Sequence, residues 1–313
     1  MLARIKRMPA SILTPKQCSP QDLDAYLAKG WRPLGQQIYV ADFIQIEAGE
    51  IYSVIPTRLA LTTHQWTKRQ RKLLRRNQDR FTYHIRPAKL DPAKREVNRQ
   101  YLAQHPDKST PDLSIHLHYQ GKVSFNTYEC AIFDGEELVA FSFFDLGAKS
   151  AYSKAGIYNP AYAKYSLGNY TMYLEMQWLQ RAEFTWYYPG YVSPDIPLFD
   201  YKLQLGEMEF WSMQSKEWLP IRMFQQATYG PLTILLQQLQ QLNIQLAQHQ
   251  FQPRIFTYAF FEMPMMRHPN QSPLLSAPYL VLIDLPLVSG LVVVTYNLEL
   301  NQFRCWQCER HRS

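Results

Sequence analysis

The sequence is poor in cysteine and has no long run of apolar residues. Its four cysteines, Cys18, Cys130, Cys305 and Cys308, are too few and too scattered for the disulfide framework of a secreted domain. The N-terminus lacks the continuous apolar segment of a signal peptide. No stretch approaches the roughly 18–20 apolar residues that span a membrane. These absences predict a soluble cytoplasmic protein that does not engage a membrane.

Composition indicates an ordinary globular protein with an excess of positive charge. Hydrophobic residues make up 46% and charged residues 19% of its 313 residues, which excludes a mostly disordered chain. The formal net charge is +7 and the isoelectric point is near 9.1. Such a balance favours an anionic partner.

Much of the excess charge lies in one stretch, Trp66–Asn77. Thr67 and Gln70 have the spacing of a capping box, so a helix is predicted to begin there. Its inward stripe would be Trp66, Gln70, Leu73 or Leu74, and Asn77. Six of the nine residues from 68 to 76 are cationic and none is acidic. This basic face is either a phosphate-binding surface or a solvated helix face.

The middle of the chain has the most regular pattern. Strands are predicted at 123–133, 138–145 and 151–158, the first two joined by a hairpin turn at Asp134-Gly135. A helix capped by Ser166 and a strand at 184–188 follow. Within the helix, Glu175 is predicted to be solvated and not a general base. The order of these elements resembles the core of the GCN5-related N-acetyltransferases, so the predicted fold is α+β, with a mixed sheet and flanking helices.

The last third is predicted to be an α+β extension, with a helix at 231–249 and strands near 254–262, 278–285 and 290–300. A loop with three methionines and three prolines, residues 263–274, separates these strands. We therefore divide the chain into an N-terminal region with the basic helix (1–110), an acyltransferase-like core (111–220) and a C-terminal extension (221–313). The sequence does not predict an oligomeric state.

Ordered motifs over residues 20–220 resemble the aminoacyl-tRNA–protein transferases, which comprise the eukaryotic arginyltransferases and their bacterial leucyl-transferring relatives. The stretches that carry the resemblance are Leu27-Ala-Lys-Gly-Trp-Arg32, Pro56-Thr-Arg-Leu59 followed by Thr67–Asn77, Ser166-Leu-Gly-Asn-Tyr-Thr171, and Tyr187-Tyr-Pro-Gly-Tyr191 with Tyr201-Lys202.

The resemblance implies transfer of arginine or leucine from charged tRNA to the N-terminal amine of a protein or peptide. Gly168 and Asn169 would contact the reacting groups, and Tyr191 would hydrogen-bond the ester or the substrate amine. Lys202 would steady the terminal adenosine phosphate or a substrate carboxylate. The tRNA would be bound by Arg58, Lys68, Arg69, Arg71, Lys72, Arg75 and Arg76.

The implied reaction needs no cofactor besides aminoacyl-tRNA as co-substrate. An aminoacyl ester is already activated, so the enzyme chiefly aligns a neutral amine with the ester carbonyl. The absence of an evident catalytic triad or paired carboxylates agrees with this chemistry. Two alternatives stay open: an acyl-CoA-dependent N-acyltransferase, and a non-catalytic tRNA-binding relative.

The chain departs from the family pattern in two places. Residues 39–55 contain no cysteine, where the family usually has a cluster, so no metal site is predicted there. The turn at Ser193–Asp200 is acidic where the family is basic, which argues against recognition of an acidic N-terminus. Cys305-Trp-Gln-Cys308 is a lone C-x-x-C pair, with His311 three residues further on. Zinc normally needs a fourth ligand, which Cys18 or His105 could supply. No second C-x-x-C exists, so no metal is predicted there either.

Overall fold

The computed structural model describes residues 10–46, 49–106, 108–258, 261, 277–285 and 290–309. The first part of the chain forms a three-stranded sheet of order β1-β3-β2 and a separate hairpin of β4 and β5. A capping box of Ser19 and Asp22 begins helix α1. The elements are β1 (Ala10–Leu13), α1 (Pro20–Leu27), β2 (Arg32–Leu34), β3 (Gln37–Ala41), β4 (Phe43–Ile46) and β5 (Glu50–Ser53).

A large mixed sheet organises the molecule. Its order is β13-β12-β6-β11-β10-β9-β8-β7, and all pairs are antiparallel except β10 with β11. The elements from β6 onward are β6 (Ile55–Ala60), α2 (Lys68–Gln78), β7 (Thr82–Pro87), α3 (Pro92–Gln104), β8 (Asn126–Asp134), β9 (Glu137–Leu146), β10 (Ser150–Tyr158), α4 (Leu167–Arg181), β11 (Trp186–Val192), β12 (Met208–Ser212) and β13 (Glu217–Pro220).

This arrangement confirms the predicted α+β class, a mixed sheet with helices. Strands β6 and β7, from the first predicted region, lie in the same sheet as the strands of the predicted core. Residues on both sides of the predicted boundary at 110–111 therefore build one sheet.

Helix α4 packs on one face of the sheet and is buried on almost all sides. The sequence predicts an inward stripe of Leu167, Tyr170, Leu174, Trp178 or Gln177, and Arg181 or Ala182. Its first three residues are buried, but Trp178 and Gln177 are half-buried and Arg181 and Ala182 are exposed. Six residues outside the stripe are buried as well: Thr171, Met172, Tyr173, Glu175, Met176 and Leu179. The prediction was too narrow because α2 covers part of the surface that a sheet-packed helix would expose to water. Ser166 precedes α4 as predicted, but its backbone is left-handed, with φ of 53°, and its side chain makes no capping hydrogen bond.

The two parallel strands separate beside the start of α4. Parallel pairing joins Ser150–Tyr152 to Trp186–Tyr188. Beyond that point β10 remains paired only with β9, and β11 remains paired only with β6. An irregularity in β10 between Ser153 and Ala155 makes Lys154 the extra residue of a bulge, and bulges bend the strand that carries them.

The C-terminal part has its own sheet of order β14-β15-β16-β17. Its elements are α5 (Gln226–Tyr229), α6 (Pro231–Gln248), β14 (Pro253–Thr257), β15 (Tyr279–Leu285), β16 (Gly290–Asn297) and β17 (Gln302–Glu309). Strand β17 was not predicted, and the predicted loop 263–274 lies outside the described residues. Leu235 and Leu239 of α6 share a buried cluster with Trp211, which joins this sheet to the larger one. Within the described ranges, no helix is long and apolar enough to span a membrane.

Candidate functional site

Helix α2 has the start and the buried stripe that its sequence predicts. The side chain of Thr67 accepts a hydrogen bond from Gln70 N–H (3.3 Å), and the side chain of Gln70 accepts one from Thr67 N–H (2.9 Å). Gln70, Leu74 and Asn77 are buried, and Trp66 packs edge-to-face on Tyr173 of α4. This contact holds one side of α2 against α4.

The two buried polar side chains of α2 bond to backbone from elsewhere in the chain. Gln70 Nε2 donates to the carbonyls of Gln204 (3.1 Å) and Leu205 (2.8 Å), which belong to the 3-10 helix Pro197–Leu205. Asn77 Nδ2 donates to the carbonyl of Tyr165 (2.9 Å), just before α4. The side-chain amides therefore fix α2 relative to the start of α4 and to the 3-10 helix.

With that side fixed, the cations of α2 face solvent. Arg69, Lys72 and Arg76 line a pocket of about 290 Å³ together with Ser166 and Asn169. The other lining residues are Leu73, Tyr173 and Gln204. The remaining basic residues of the helix are exposed outside this lining: Lys68, Arg71 and Arg75.

The start of α4 gives this pocket a second source of positive potential. The hydrogen-bond ladder of the helix begins with Tyr170 N–H donating to Ser166 O (3.0 Å). The amides of residues 167–169 precede that ladder, and such groups, with the helix dipole, attract anions. Two stretches predicted separately, the basic helix and Ser166–Asn169, thus meet at one pocket that suits a phosphate or another anion.

Lys202 and Tyr191 lie together at the separated strands. Lys202 Nζ donates to the carbonyl of Tyr191 (2.9 Å) and lies 4.9 Å from the centre of its ring. A Cβ at Gly190 would come within 3.3 Å of Nζ, so the glycine makes room for the ammonium. Burial, and next the nearby Arg32 guanidinium, lower the pKa of Lys202 to about 7.

The 3-10 helix connects this pair to the cationic pocket. Gln204, two residues after Lys202, lines the pocket. The Tyr191 side chain is half-buried and packs edge-to-face on Phe199 of the same 3-10 helix. The structure thus places the predicted residues Gly168, Asn169, Tyr191 and Lys202 at two neighbouring positions that one short segment links.

Arg58 is placed apart from the cations of α2. Its Nε lies 2.7 Å from a carboxylate oxygen of Glu209, and its guanidinium lies 3.6 Å from the ring centre of Trp186 and 4.6 Å from that of Trp218. These contacts tie β6 to β11, β12 and β13. The structure does not bring Arg58 to the pocket.

The prediction that Glu175 is solvated is wrong. The Glu175 carboxylate is fully buried and accepts hydrogen bonds from the Ser142 hydroxyl and from Tyr187 Oη (2.6 Å). Desolvation raises its pKa from 4.5 to about 7, against the opposing effect of these bonds. No local sequence pattern indicates this burial, because α4 is covered on a side that a surface helix leaves open.

We expect Glu175→Gln to stabilise the protein at alkaline pH. Because the folded-state pKa is raised, the wild type loses stability as pH rises from about 4.5 to about 7, and the amide variant does not. The shift of Glu175 from 4.5 to about 7 corresponds to about 3 kcal/mol in favour of the variant above pH 7. Urea unfolding of both proteins at pH 5 and pH 8 measures the difference between their free energies of unfolding. An equal difference at the two pH values would contradict the prediction.

The turn at residues 193–200 is acidic where the related family is basic, but its Asp195 does not lie in the site. One carboxylate oxygen of Asp195 accepts from Ser53 N–H, and the other accepts from Gln226 Nε2 (3.0 Å). The carboxylate therefore joins β5 to α5.

Cys305 and Cys308 both lie on β17. Being three residues apart on a strand, their side chains point to opposite faces. Among the residues that the structure describes, no group of three or more His, Cys, Asp or Glu side chains is placed to hold a metal ion. His311 lies outside the described residues.

Fold and site together define a mixed α+β protein with a cationic pocket at a helix start, next to two parallel strands that separate. Residues 70–212 match the family model described as "Arginine-tRNA-protein transferase, C terminus". The resemblance predicted from the sequence is confirmed by this match and by the curated relatives. The matching family and the relatives named below are transferases of the predicted type.

Curated relatives support this at low identity. The chain is 24% identical over 206 residues to an aspartate/glutamate leucyltransferase of Vibrio cholerae, covering 65% of this chain and 85% of that protein. It is 29% identical over 98 residues to arginyl-tRNA–protein transferase 1 of Saccharomyces cerevisiae, covering 31% of this chain and 19% of that protein.

Solved structures align only partially. The C-terminal domain of a lysylphosphatidylglycerol synthetase from Agrobacterium fabrum aligns with a TM-score of 0.36 and 15% identity, covering 49% of this chain and 50% of that one. FemX aligns with a TM-score of 0.38 and 11% identity, covering 66% and 70%. The fold is therefore defined by the order and direction of the strands in its sheets.

Proposed function

We propose that this protein transfers an amino acid, leucine or arginine, from charged tRNA to the N-terminal amine of a protein or peptide. The observation that carries the proposal is the shared pocket. Exposed cations of α2 and the first amides of α4 line one concave surface, which suits the phosphates near the aminoacylated end of tRNA. The exposed Lys68, Arg71 and Arg75 would extend this contact along the RNA backbone.

The strand order supports a finer description of the fold. Three antiparallel strands, β8, β9 and β10, are followed by α4 and then by β11, which is parallel to β10. This order of elements is similar to that of the GCN5-related N-acetyltransferase core. In this description the gap between β10 and β11 is where the acyl group and the acceptor amine meet.

The chemistry follows from the groups present. The neutral acceptor amine attacks the ester carbonyl, a C–N bond forms, and the bond to the ribose oxygen breaks. The proton lost by the amine ends on that ribose oxygen. The amides that begin α4 are the donors available to the carbonyl oxygen as it gains negative charge. Because an α-amino group has a pKa of about 8, a usable fraction is neutral at pH 7.

The test is transfer of labelled arginine or leucine from charged tRNA to peptides that begin with Asp or Glu. We expect label on the peptide with one of the two tRNAs and none after treatment of the tRNA with RNase. A protein that neither labels any peptide nor binds the tRNA would contradict the proposal. Tight tRNA binding without transfer would favour a non-catalytic relative. Saturable coenzyme A binding that RNase leaves unchanged would favour an acyl-CoA-dependent enzyme.

A further inference from the structure

The buried carboxylate of Glu175 joins α4 to three strands of the large sheet. The Ser142 hydroxyl of β9 donates to one carboxylate oxygen, and Tyr187 Oη of β11 donates to the other (2.6 Å). The Ser153 hydroxyl of β10 is a hydrogen-bond neighbour of both Glu175 and Tyr187. One acidic group of the helix therefore gathers side chains from β9, β10 and β11.

These contacts lie where β10 and β11 stop pairing. Tyr187 belongs to the short stretch of parallel pairing. Ser153 is the first residue of β10 after the last paired residue, Tyr152, and it directly precedes the bulge of that strand. Each of the two separating strands thus sends a hydroxyl to the same carboxylate, so Glu175 is placed to set how far the strands open.

Hydroxyl groups, and not a cation, stabilise the charge of Glu175. Other buried carboxylates have cationic partners: a Glu129 oxygen lies 3.2 Å from Lys94 Nζ. Likewise, an Asp145 oxygen lies 2.8 Å from Lys154 Nζ. A buried carboxylate without a cation is costly. A glutamine of the same shape would join the strands without burying a charge, which points to a role for the acid itself.

The ionised and neutral forms of Glu175 hold the strands differently. An ionised carboxylate accepts from every hydroxyl around it, whereas a protonated one is also a donor, so one hydroxyl must turn. Burial raises the pKa of Glu175 to about 7, so both forms are populated near neutral pH.

The titratable groups that face Glu175 from the packed strands are Tyr187 of β11 and Cys130 of β8. Burial, and next the Glu175 charge, hold the pKa of both well above its usual value, so neither group titrates near pH 7. From β9 and β10 the groups that affect its pKa are the hydroxyls of Ser142 and Ser153, and no charged residue described in α2, β9 or β10 adds to them. Any titration of this network near neutral pH therefore belongs to Glu175.

We propose that ionised Glu175 is a positioning residue for the transfer reaction, fixing the opening between β10 and β11 through Tyr187 and Ser153. This assignment rests on the proposed function, in which the acceptor amine and the ester meet in that opening. Glu175 is fully buried, so it acts through the strands and not on the reacting atoms. Because a misplacement of about 1 Å can slow a reaction about 100-fold, the effect belongs in kcat.

Glu175→Gln tests the role because its effects on stability and on catalysis have opposite signs. The variant buries no charge, so it should be the more stable protein above pH 7. Its amide nitrogen is a donor that faces a strand hydroxyl, so kcat at pH 8.5 should fall about 10- to 100-fold. The pocket on α2 does not include Glu175, so KM for charged tRNA should stay unchanged. A group that only stabilised the fold would lose stability and activity together.

The ratio of wild-type to variant kcat should also depend on pH. A group with a pKa of about 7 is about one-tenth ionised at pH 6 and almost fully ionised at pH 8.5, so the ratio should fall about 5- to 10-fold between pH 8.5 and pH 6. The acceptor amine and Lys202 titrate in both proteins and cancel in the ratio. A ratio that does not change with pH, whatever its value, would overturn the assignment.

Tyr187→Phe removes the hydroxyl that ties β11 to the carboxylate and keeps the ring. Its kcat should fall in the same range, and adding it to Glu175→Gln should cause little further loss, because both changes break one link. The matched control is Tyr170→Phe on α4, which should keep the wild-type kcat. Tyr170 is equally buried, and its hydroxyl has no hydrogen-bond partner in the described part of the chain.

The outcomes separate the two proposals. A wild type that transfers, together with a Glu175→Gln protein of wild-type kcat at every pH, would reject the positioning role alone. If Glu175→Gln does not fold, a Tyr187→Phe protein with the wild-type kcat rejects it equally. A wild type that transfers nothing from any charged tRNA would reject the proposed function and the positioning role with it.

Discussion

Replacing Arg69 and Arg76 together with alanine is expected to weaken tRNA binding at least about tenfold at moderate salt. Both side chains line the pocket beside the start of α4. Each lost phosphate contact should make the slope of log binding constant against log salt concentration less negative by about 0.7–0.9. The slope of the double variant should therefore be less negative by about 1.4–1.8. Titration of tRNA at several salt concentrations measures both quantities.

The matched control lies on the same helix. Arg71→Ala with Arg75→Ala removes the same charge from α2, but these residues are outside the pocket lining, so we expect a smaller loss of tRNA affinity than for the pocket pair. Both double variants keep the buried Gln70, Leu74 and Asn77 that hold the helix in place. Equal losses for the two pairs would mean that the RNA senses the overall charge of α2 and not the pocket.

Lys154→Met is expected to destabilise the protein by about 3–5 kcal/mol, the usual effect of leaving one charge of a buried pair without its partner. The Asp145 carboxylate and the Lys154 ammonium are buried and 2.8 Å apart. Desolvation raises the pKa of Asp145 and lowers that of Lys154 in spite of their attraction. Denaturant unfolding at pH 7 measures the loss.

Adding Asp145→Asn to Lys154→Met should recover much of that stability, because the orphaned carboxylate is gone. If the double variant is no more stable than the single one, the loss comes from packing and not from the unpaired charge. Lys154 is the bulge residue of β10, and its ammonium also donates to the carbonyl of His116 (3.1 Å). The buried pair therefore holds the bend that parts β10 from β11.

Much of the fold was predictable where local patterns are strong. The capping box of Thr67 and Gln70 predicts the observed start of α2, because capping depends on residues close together in the chain. The hairpin at Asp134-Gly135 is equally local. Strand β17 was missed because alternation in a short terminal segment is a weak signal.

The site was only partly predictable. The basic helix and the Ser166–Asn169 stretch were identified separately, but their meeting depends on Gln70 and Asn77 bonding to backbone far along the chain. Nothing in the sequence near Arg32 shows that its side chain is buried, because burial depends on residues from distant elements.

The sequence by itself determined the start of α2, the hairpin at Asp134-Gly135, the cationic face of α2 and the resemblance to the aminoacyl-tRNA–protein transferases, since each depends on residues close together in the chain. Tertiary structure alone decided which cations share a pocket with the start of α4, that Glu175 is buried, and that Arg32 and Lys202 lie near the same Tyr191 ring. The physical reason is that desolvation and charge pairing depend on distances between elements that folding brings together.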